Sequence, residues 1–194
     1  MDISEISGRN TERAFEIIDD LQIINTWHSF GARANLVGSL CNGLLMKNKD
    51  IDFHIYSDSF SIKDSFGAMA AIAEKPGIER VTYVNLTDTE EMCIEWHAWY
   101  RDTDQELWQI DMIHLLKESP FAGRIEQVTE RIGAVLTPEL RMTILSIKND
   151  VPDEEKIPGI EIYQAVIRDG VKSYKEFIRW RKKQNMTGII DWMP

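Results

Sequence analysis

The chain has 194 residues and a mass of 22.5 kDa, the size of one domain or of one core with an appendage. Apolar residues make up 43% and charged residues 28%, a globular balance that argues against wholesale disorder. The formal net charge of −10 opposes binding to a broad phosphate backbone, so we expect no nucleic acid among the partners.

Targeting and membrane signals are not recognisable in the sequence. Residues 1–10 are polar and lack the apolar core of a secretory signal, and no run approaches the roughly 18 apolar residues of a spanning helix. Cys41 and Cys93 have no metal-ligand spacing, which is typical of reduced thiols rather than of a zinc site. The sequence predicts a soluble cytoplasmic protein without membrane contact.

The first 118 residues are predicted to mix helices and strands. The clearest strand is 50–56, where polar and apolar residues alternate strictly. The predicted elements are a helix at 11–28, a strand at 34–37, a short helical piece at 40–46, a strand at 50–56, a helix at 61–74, and strands at 78–86, 92–101 and 106–115.

After Ser119-Pro120 the predicted character becomes helical. The periodicity predicts helices over 121–136 and from Thr137, and one long amphipathic helix over 159–184. Strands followed by helices indicate an α+β fold. We therefore predict an α/β core in residues 1–118 and a helical C-terminal region in residues 119–194.

The last predicted helix has a basic face. Its cations are either a solvated surface or a rim that guides an anionic partner, and the sequence leaves both interpretations open. Residues 168–183 contain seven basic side chains (Arg168, Lys172, Lys175, Arg179, Arg181, Lys182, Lys183) and two acidic ones (Asp169, Glu176).

A glycine-serine turn follows the strand at 34–37. Gly38 permits a tight turn and a close backbone approach to a ligand, and a helical start after Ser39 would present free N–H groups to phosphate oxygens. An ordinary turn with a helix cap explains the same residues. The turn alone therefore does not indicate a function.

Two carboxylates lie two residues apart on the clearest strand. Asp50 and Asp52 share one face, while Ile51 and Phe53 point to the other. Carboxylates about 6–7 Å apart repel each other, and a hard cation such as Mg²⁺ between them relieves the repulsion. The alternative is a solvated acidic strand that discourages edge pairing.

A third carboxylate is expected from one of two later strands. Asp111 is the single acid in residues 107–113 of the strand at 106–115, and it faces the same cleft if that strand pairs beside Asp50 and Asp52. Three such acids can hold two metal ions for displacement at phosphorus. Glu95, which alternates with His97 on the strand at 92–101, is a rival to Asp111 as the third metal ligand, and Glu95 or His97 could act as the acceptor's general base.

The combined pattern resembles the nucleotidyltransferase superfamily, the DNA polymerase beta-like fold. Gly38-Ser39, ten intervening residues, Asp50-x-Asp52 and a later strand-borne Asp111 match its motif order. The kanamycin and lincosamide nucleotidyltransferases, which modify small molecules, are the nearer likeness. The resemblance covers about residues 34–115 and implies a mixed β-sheet core with flanking helices, followed by a helical region.

The resemblance also implies a reaction and a set of roles. A nucleoside monophosphate would pass from an NTP to the hydroxyl of a small-molecule acceptor, with release of pyrophosphate. The implied residues are Gly38, Ser39 and Lys49 at the triphosphate, Asp50, Asp52 and Asp111 on two Mg²⁺ ions, and Glu95 as a further catalytic candidate.

Two departures from the family pattern keep other functions open. Lys49 stands where many members have Ser or Thr, and Leu40-Cys41-Asn42-Gly43 lacks the arginine that many members carry. They favour a second hypothesis, a catalytically silent module that binds or regulates. A nucleotide pyrophosphokinase of related fold is the third, and a homodimer is also open.

Overall fold

The computed structural model describes residues 2–184 and 192–194. The strands are β1 (Ala32–Val37), β2 (Asp50–Ser57), β3 (Ile78–Leu86), β4 (Cys93–Arg101) and β5 (Leu107–Leu115). The helices are α1 (Ile3–Asp20), α2 (Ile23–Ser29), α3 (Ile62–Ala73), α4 (Arg124–Val135), α5 (Pro138–Asp150), α6 (Gly159–Tyr163) and α7 (Tyr174–Arg181).

The strands form one mixed sheet in the order β1-β2-β5-β4-β3. β2 and β5 run parallel, with α3, β3 and β4 between them in the chain, and the other neighbouring strands are antiparallel. A parallel pair requires such a long crossover. The predicted α+β class with a mixed sheet and flanking helices is confirmed.

The two faces of the sheet differ in polarity. Ile51, Phe53 and Ile55 of β2 are fully buried on the face that packs against α1, α2 and α3. Asp50 and Asp52 point to the opposite face, as the strict alternation predicts. The alternation therefore determines which side of the sheet is core and which side is free for chemistry.

The C-terminal helices share a second hydrophobic cluster. It contains Phe177 of α7 and Ile144 of α5, and it also takes in Leu44, from the loop between β1 and β2, with Ile3 of α1 packed against it. Contacts thus run between the proposed regions 1–118 and 119–194. None of the helices in the described residues is both long and apolar enough to cross a membrane.

Two predicted helices are each divided in the structure. The helix predicted at 11–28 is α1 and α2, which meet at Gln22 with a left-handed backbone (φ 55°). The helix predicted over 159–184 is interrupted after a π-helical stretch, Gln164–Arg168, because Gly170 adopts φ +67°. Ser173 then accepts a hydrogen bond from the Glu176 N–H and caps α7.

Asp102 organises the hairpin between β4 and β5 from the inside. Its Oδ1 accepts the N–H groups of Asp104 and Glu106, both at 2.9 Å, and its Oδ2 accepts the Trp108 indole at 3.1 Å and the Arg13 guanidinium at 3.3 Å. Burial alone would raise the pKa of this carboxyl, but these hydrogen bonds and Arg13 lower it overall. An ionised Asp102 therefore ties α1 to the start of β5.

Replacing Asp102 tests this arrangement. Asp102→Ala leaves buried donors unpaired, so we expect urea unfolding to show a loss of about 2–4 kcal/mol in the free energy of unfolding. The contribution of the carboxylate is complete above about pH 4 and is lost as the pH falls, because its folded-state pKa is lowered. Asp104→Ala in the same turn removes only an exposed side chain and should change stability little; equal losses would contradict the account.

Candidate active site

Three carboxylates share the open face of the sheet. The parallel register of β2 and β5 places Asp52 beside Asp111 and Asp50 beside Gln109. On the other side of Asp111, β4 places His97. The structure thus places on one face of the sheet the three acids that the sequence analysis proposed as metal ligands.

These acids interact unfavourably when all are ionised. Burial, followed by the charges of Asp111 and Asp50, raises the pKa of Asp52 to about 7. Burial and Asp111 also raise the pKa of Asp50, while Lys148 of α5 opposes both shifts. A bound cation would relieve this repulsion.

The described residues offer Mg²⁺ a partial ligand set. No three of their His, Cys, Asp or Glu side chains are grouped closely enough to hold an ion by themselves. Both carboxylate oxygens of Asp111 instead accept a hydrogen bond from Gln109 Nε2, at 2.9 and 3.1 Å. Asp111 Oδ1 also lies 2.7 Å from His97 Nδ1. Mg²⁺ commonly takes one or two carboxylates together with waters and substrate phosphates. The donors present therefore fit Mg²⁺ that binds with a nucleotide.

Glu95 lies farther from Asp50 and Asp52 than Asp111 does. It sits on β4 opposite Ile113, so β5 separates it from β2. Its carboxylate is 3.5 Å from His97 Nε2. Of the two candidates for the third carboxylate, Asp111 is the immediate neighbour of Asp52.

The glycine-serine turn lies directly against Asp52. Gly38 has φ +76°, and a Cβ at this position would lie 2.4 Å from Asp52 Oδ2. Its N–H donates to Thr129 Oγ1 of α4 at 3.2 Å. The helical piece predicted at 40–46 is only a 3₁₀ turn, Leu40–Asn42, because Gly43 turns the backbone into the left-handed region.

Helix α4 is anchored over β1 and β2 by polar contacts. Glu126 lies 3.2 Å from His54 Nδ1 and accepts a longer hydrogen bond from Asn35. Burial alone would raise the pKa of Glu126, but His54 and further hydrogen bonds lower it to about 2. The Gly123 N–H also donates to Tyr56 Oη at 2.9 Å. These contacts make α4 one wall of a cleft.

The cleft encloses about 350 Å³ and has one polar wall and one largely apolar wall. Gly38, Ser39, Asp50 and Asp52 form the polar wall, with Lys148 beside them. The apolar wall contains Phe121, Ile125, Val128, Ile132, Ile157, Ile160 and Trp192. Such a cleft has room for a charged group at one end and a flat apolar ring at the other.

Lys49 does not reach this cleft, contrary to its predicted role at the phosphates. Its side chain pairs with Glu106, and its ammonium lies 5.6 Å from the Trp108 ring centroid. The residue before Asp50 points to the opposite side of the strand, so alternation explains the difference.

Among the described residues, the cations that line the cleft are Arg124 of α4 and Lys148 of α5, and sequence reasoning missed Lys148. Its Nζ donates to the Leu44 carbonyl at 2.7 Å and to Tyr163 Oη at 3.3 Å. No local sequence signal marks it, because it reaches the site from α5.

Comparisons of sequence found no significant match to a family model or to a curated protein. Comparison of folds found solved structures that are similar. The poly(A) polymerase complex GLD-2–GLD-3 matches with 13% identity and a TM-score of 0.56, covering 86% of this chain and 58% of that chain. Cid1, described as an RNA terminal uridylyl transferase, matches with 16% identity and a TM-score of 0.55, covering 81% and 46%. Cid1 poly(U) polymerase with MgATP bound matches with 15% identity and a TM-score of 0.59, covering 81% and 49%.

The chain has a nucleotidyltransferase fold. It spans about half the length of the similar polymerase chains. The resemblance derived from Gly38-Ser39, Asp50, Asp52 and Asp111 is thus confirmed at the level of the fold. The narrower likeness to small-molecule enzymes is not supported, because these structures are of polymerases that act on RNA.

The prediction that nucleic acid is no partner is contradicted by the same finding. Polymerases that act on RNA share the fold, so the net charge of the chain does not exclude nucleic acid as a partner. The prediction failed because a net charge of −10 is a property of the whole chain, whereas polyanions bind to local surfaces. Residues 168–183 of this acidic chain are strongly basic.

Neutralising Asp52 tests the electrostatics of the site. Because its folded-state pKa is raised to about 7, the ionised carboxylate lowers stability progressively as the pH rises from about 4 to above 7. We expect Asp52→Asn to raise the free energy of unfolding by on the order of 2 kcal/mol at pH 8 without metal. Mg²⁺ should raise the melting temperature of the natural protein and not that of the variant.

The matched control is Asp58→Asn, since Asp58 is a fully exposed acid just after β2. It should change neither stability nor the response to Mg²⁺. A less stable Asp52→Asn at pH 8 would contradict the proposed repulsion.

Proposed function

We propose that the chain is a Mg²⁺-dependent nucleotidyltransferase that transfers a nucleoside monophosphate from an NTP to an acceptor hydroxyl. The observation that supports this best is the arrangement of Asp50, Asp52 and Asp111 on one sheet face beside Gly38-Ser39, in a nucleotidyltransferase fold. We also propose that residues 1–118 form the catalytic core and residues 119–194 the helical region that closes the cleft.

The nucleotide would occupy the cleft between the sheet and α4. Ser39 lines the cleft at the turn and offers its hydroxyl to phosphate oxygens, and the Lys148 ammonium adds positive charge on the same side. The apolar side chains of Ile125 and Val128 suit the base. Lys148 thereby takes over the role first assigned to Lys49.

The carboxylates prepare the displacement. Asp50, Asp52 and Asp111 would hold Mg²⁺, which supplies charge neutralisation at the phosphate oxygens when bound. The acceptor oxygen attacks the α-phosphorus, the bond to the bridging oxygen breaks, and pyrophosphate leaves. In its alternative role Asp111 would receive the hydroxyl proton, and its contacts with Gln109 and His97 would hold its orientation.

The acceptor hydroxyl would belong either to a small molecule or to RNA. The sequence motifs resemble those of small-molecule enzymes, whereas GLD-2 and Cid1, which share the fold, are described as acting on RNA. Both classes present a hydroxyl, so the same chemistry serves either. A catalytically silent module is the second candidate function, favoured by the engagement of the Gly38 N–H with Thr129 and of Asp111 with His97.

Transfer assays with label at the α-phosphate separate these functions. Each NTP is incubated with Mg²⁺ and with either single-stranded RNA or hydroxylated small molecules, and label transfer and pyrophosphate are measured. We expect both products from the natural protein and at least about a hundredfold less from Asp52→Asn and Asp111→Asn. Nucleotide binding without pyrophosphate release would favour the silent module, and pyrophosphoryl transfer would indicate a pyrophosphokinase. A protein that binds no Mg-NTP contradicts the proposal.

A pair of glycine variants tests the turn. Gly38 and Gly31 have almost the same positive φ, +76° and +75°, but a Cβ meets Asp52 only at Gly38. We expect both alanine variants to lose on the order of 1 kcal/mol of stability from backbone strain. Only Gly38→Ala should weaken Mg-NTP binding, because its methyl group would displace Asp52. We expect calorimetry to show an affinity lower by about tenfold or more. Equal nucleotide affinity in the two variants would show that the turn is not part of the site.

A further inference from the structure

The acceptor must approach the carboxylates from the side opposite the nucleotide. In-line displacement places the attacking and leaving oxygens on opposite sides of phosphorus. The cleft, with Gly38-Ser39 and α4, lies over β1 and β2, and Asp111 lies beyond it on β5. The open face of β5, β4 and β3 is therefore the side from which an acceptor hydroxyl reaches Asp111.

A row of cross-strand neighbours leads from the carboxylates across this face. The registers place Asp50 beside Gln109, Gln109 beside Trp99, and Trp99 beside Arg80. The adjacent row runs from Asp52 through Asp111 to His97. Trp99 is thus a diagonal neighbour of Asp111, at a cross-strand distance that large side chains span.

Trp99 differs from the other tryptophans of the sheet. Trp96 and Trp108 belong to the core and are almost completely buried, whereas Trp99 is only partly buried and points to the open face. The Arg80 guanidinium stacks on it, with its central carbon 3.5 Å from the ring centroid. Arg80 is itself exposed, so the pair forms a flat surface beside the carboxylates.

The charges around this surface favour one class of acceptor. The carboxylates of Asp111 and Glu95 already have polar partners on this face: Asp111 contacts His97 and Gln109, and Glu95 contacts His97. Arg80 has no ion-pair partner within residues 2–184 and 192–194, and its stack on Trp99 leaves its charge accessible. A planar aromatic ring next to an accessible guanidinium suits a base joined to a phosphate.

We propose that Trp99 and Arg80 form the acceptor subsite of the enzyme. The 3′-terminal base of a single-stranded nucleic acid stacks on this pair, the guanidinium contacts the adjoining phosphodiester, and the terminal hydroxyl is presented to Asp111. The inference rests on the proposed nucleotidyl transfer and deepens it by naming the acceptor class. Trp99 and Arg80 are specificity-determining residues in this scheme.

Binding measurements test the subsite separately from catalysis. The probe is a fluorescein-labelled single-stranded RNA dodecamer, and its anisotropy is followed with Mg²⁺ and a non-hydrolysable NTP present. We expect Trp99→Ala to weaken RNA binding about tenfold or more, and Trp99→Phe to retain most of the affinity. Arg80→Gln should weaken binding and lower the salt slope by about 1.

The matched control is Arg33→Gln, because Arg33 lies over the Tyr56 ring at 5.7 Å on the edge strand β1. It should leave RNA affinity and salt slope unchanged. Calorimetry of Mg-NTP should give the same affinity for the natural protein, Trp99→Ala and Arg80→Gln, which also shows that the variants are folded.

Several results would overturn the subsite. Unchanged RNA affinity in Trp99→Ala would do so, as would a natural protein that binds Mg-NTP but not RNA. Equal labelling of a hydroxylated amine by the natural protein and Trp99→Ala, with none on RNA, would assign the acceptor to small molecules. Failure of the natural protein to bind Mg-NTP would instead remove the proposed function itself.

Discussion

The parallel pairing of β2 with β5 determines the chemistry available to this molecule. It places Asp52 beside Asp111, and the alternation of each strand directs both to the same face. The fully buried Ile110 and Met112 fix the register of β5 from the core side. A slip of one residue would expose them and turn Asp111 into the core. The burial of these apolar side chains therefore also fixes the position of Asp111 on the open face. The repulsion among the acids opposes folding, and a bound cation would relieve it.

The loop between β1 and β2 depends on helices that are distant in sequence. Side chains of α1 and α5 satisfy its backbone carbonyls: Ser7 and Arg141 at Gly43, Asn10 at Met46, and Lys148 at Leu44. The loop would otherwise leave carbonyl groups unpaired in the interior. The C-terminal helices therefore hold the glycine-serine turn in place as well as forming the apolar wall of the cleft. This coupling also explains why the second hydrophobic cluster includes residues of the first 118.

Much of the sheet and its acids could be predicted from local patterns. The alternation in 50–56 indicated both the strand and the shared face of Asp50 and Asp52, and Gly38 marked a close approach. Other features depend on the folded chain. Lys148 carries no local signal, because its approach to the acids follows from how α5 packs. The Trp99–Arg80 stack depends on strand register, and a single glycine divides the long amphipathic pattern at 159–184. The prediction that nucleic acid is no partner failed because the net charge averages over acidic and basic surfaces of the same chain.

The most direct test is a crystal structure with Mg²⁺ and a non-hydrolysable NTP. The account predicts metal density between the carboxylates of Asp50 and Asp52 and the phosphates, with the triphosphate beside Gly38-Ser39 and the base along α4. Nucleotide bound without metal, or bound at another surface such as the groove lined by His28, Arg33 and Lys117, would contradict it.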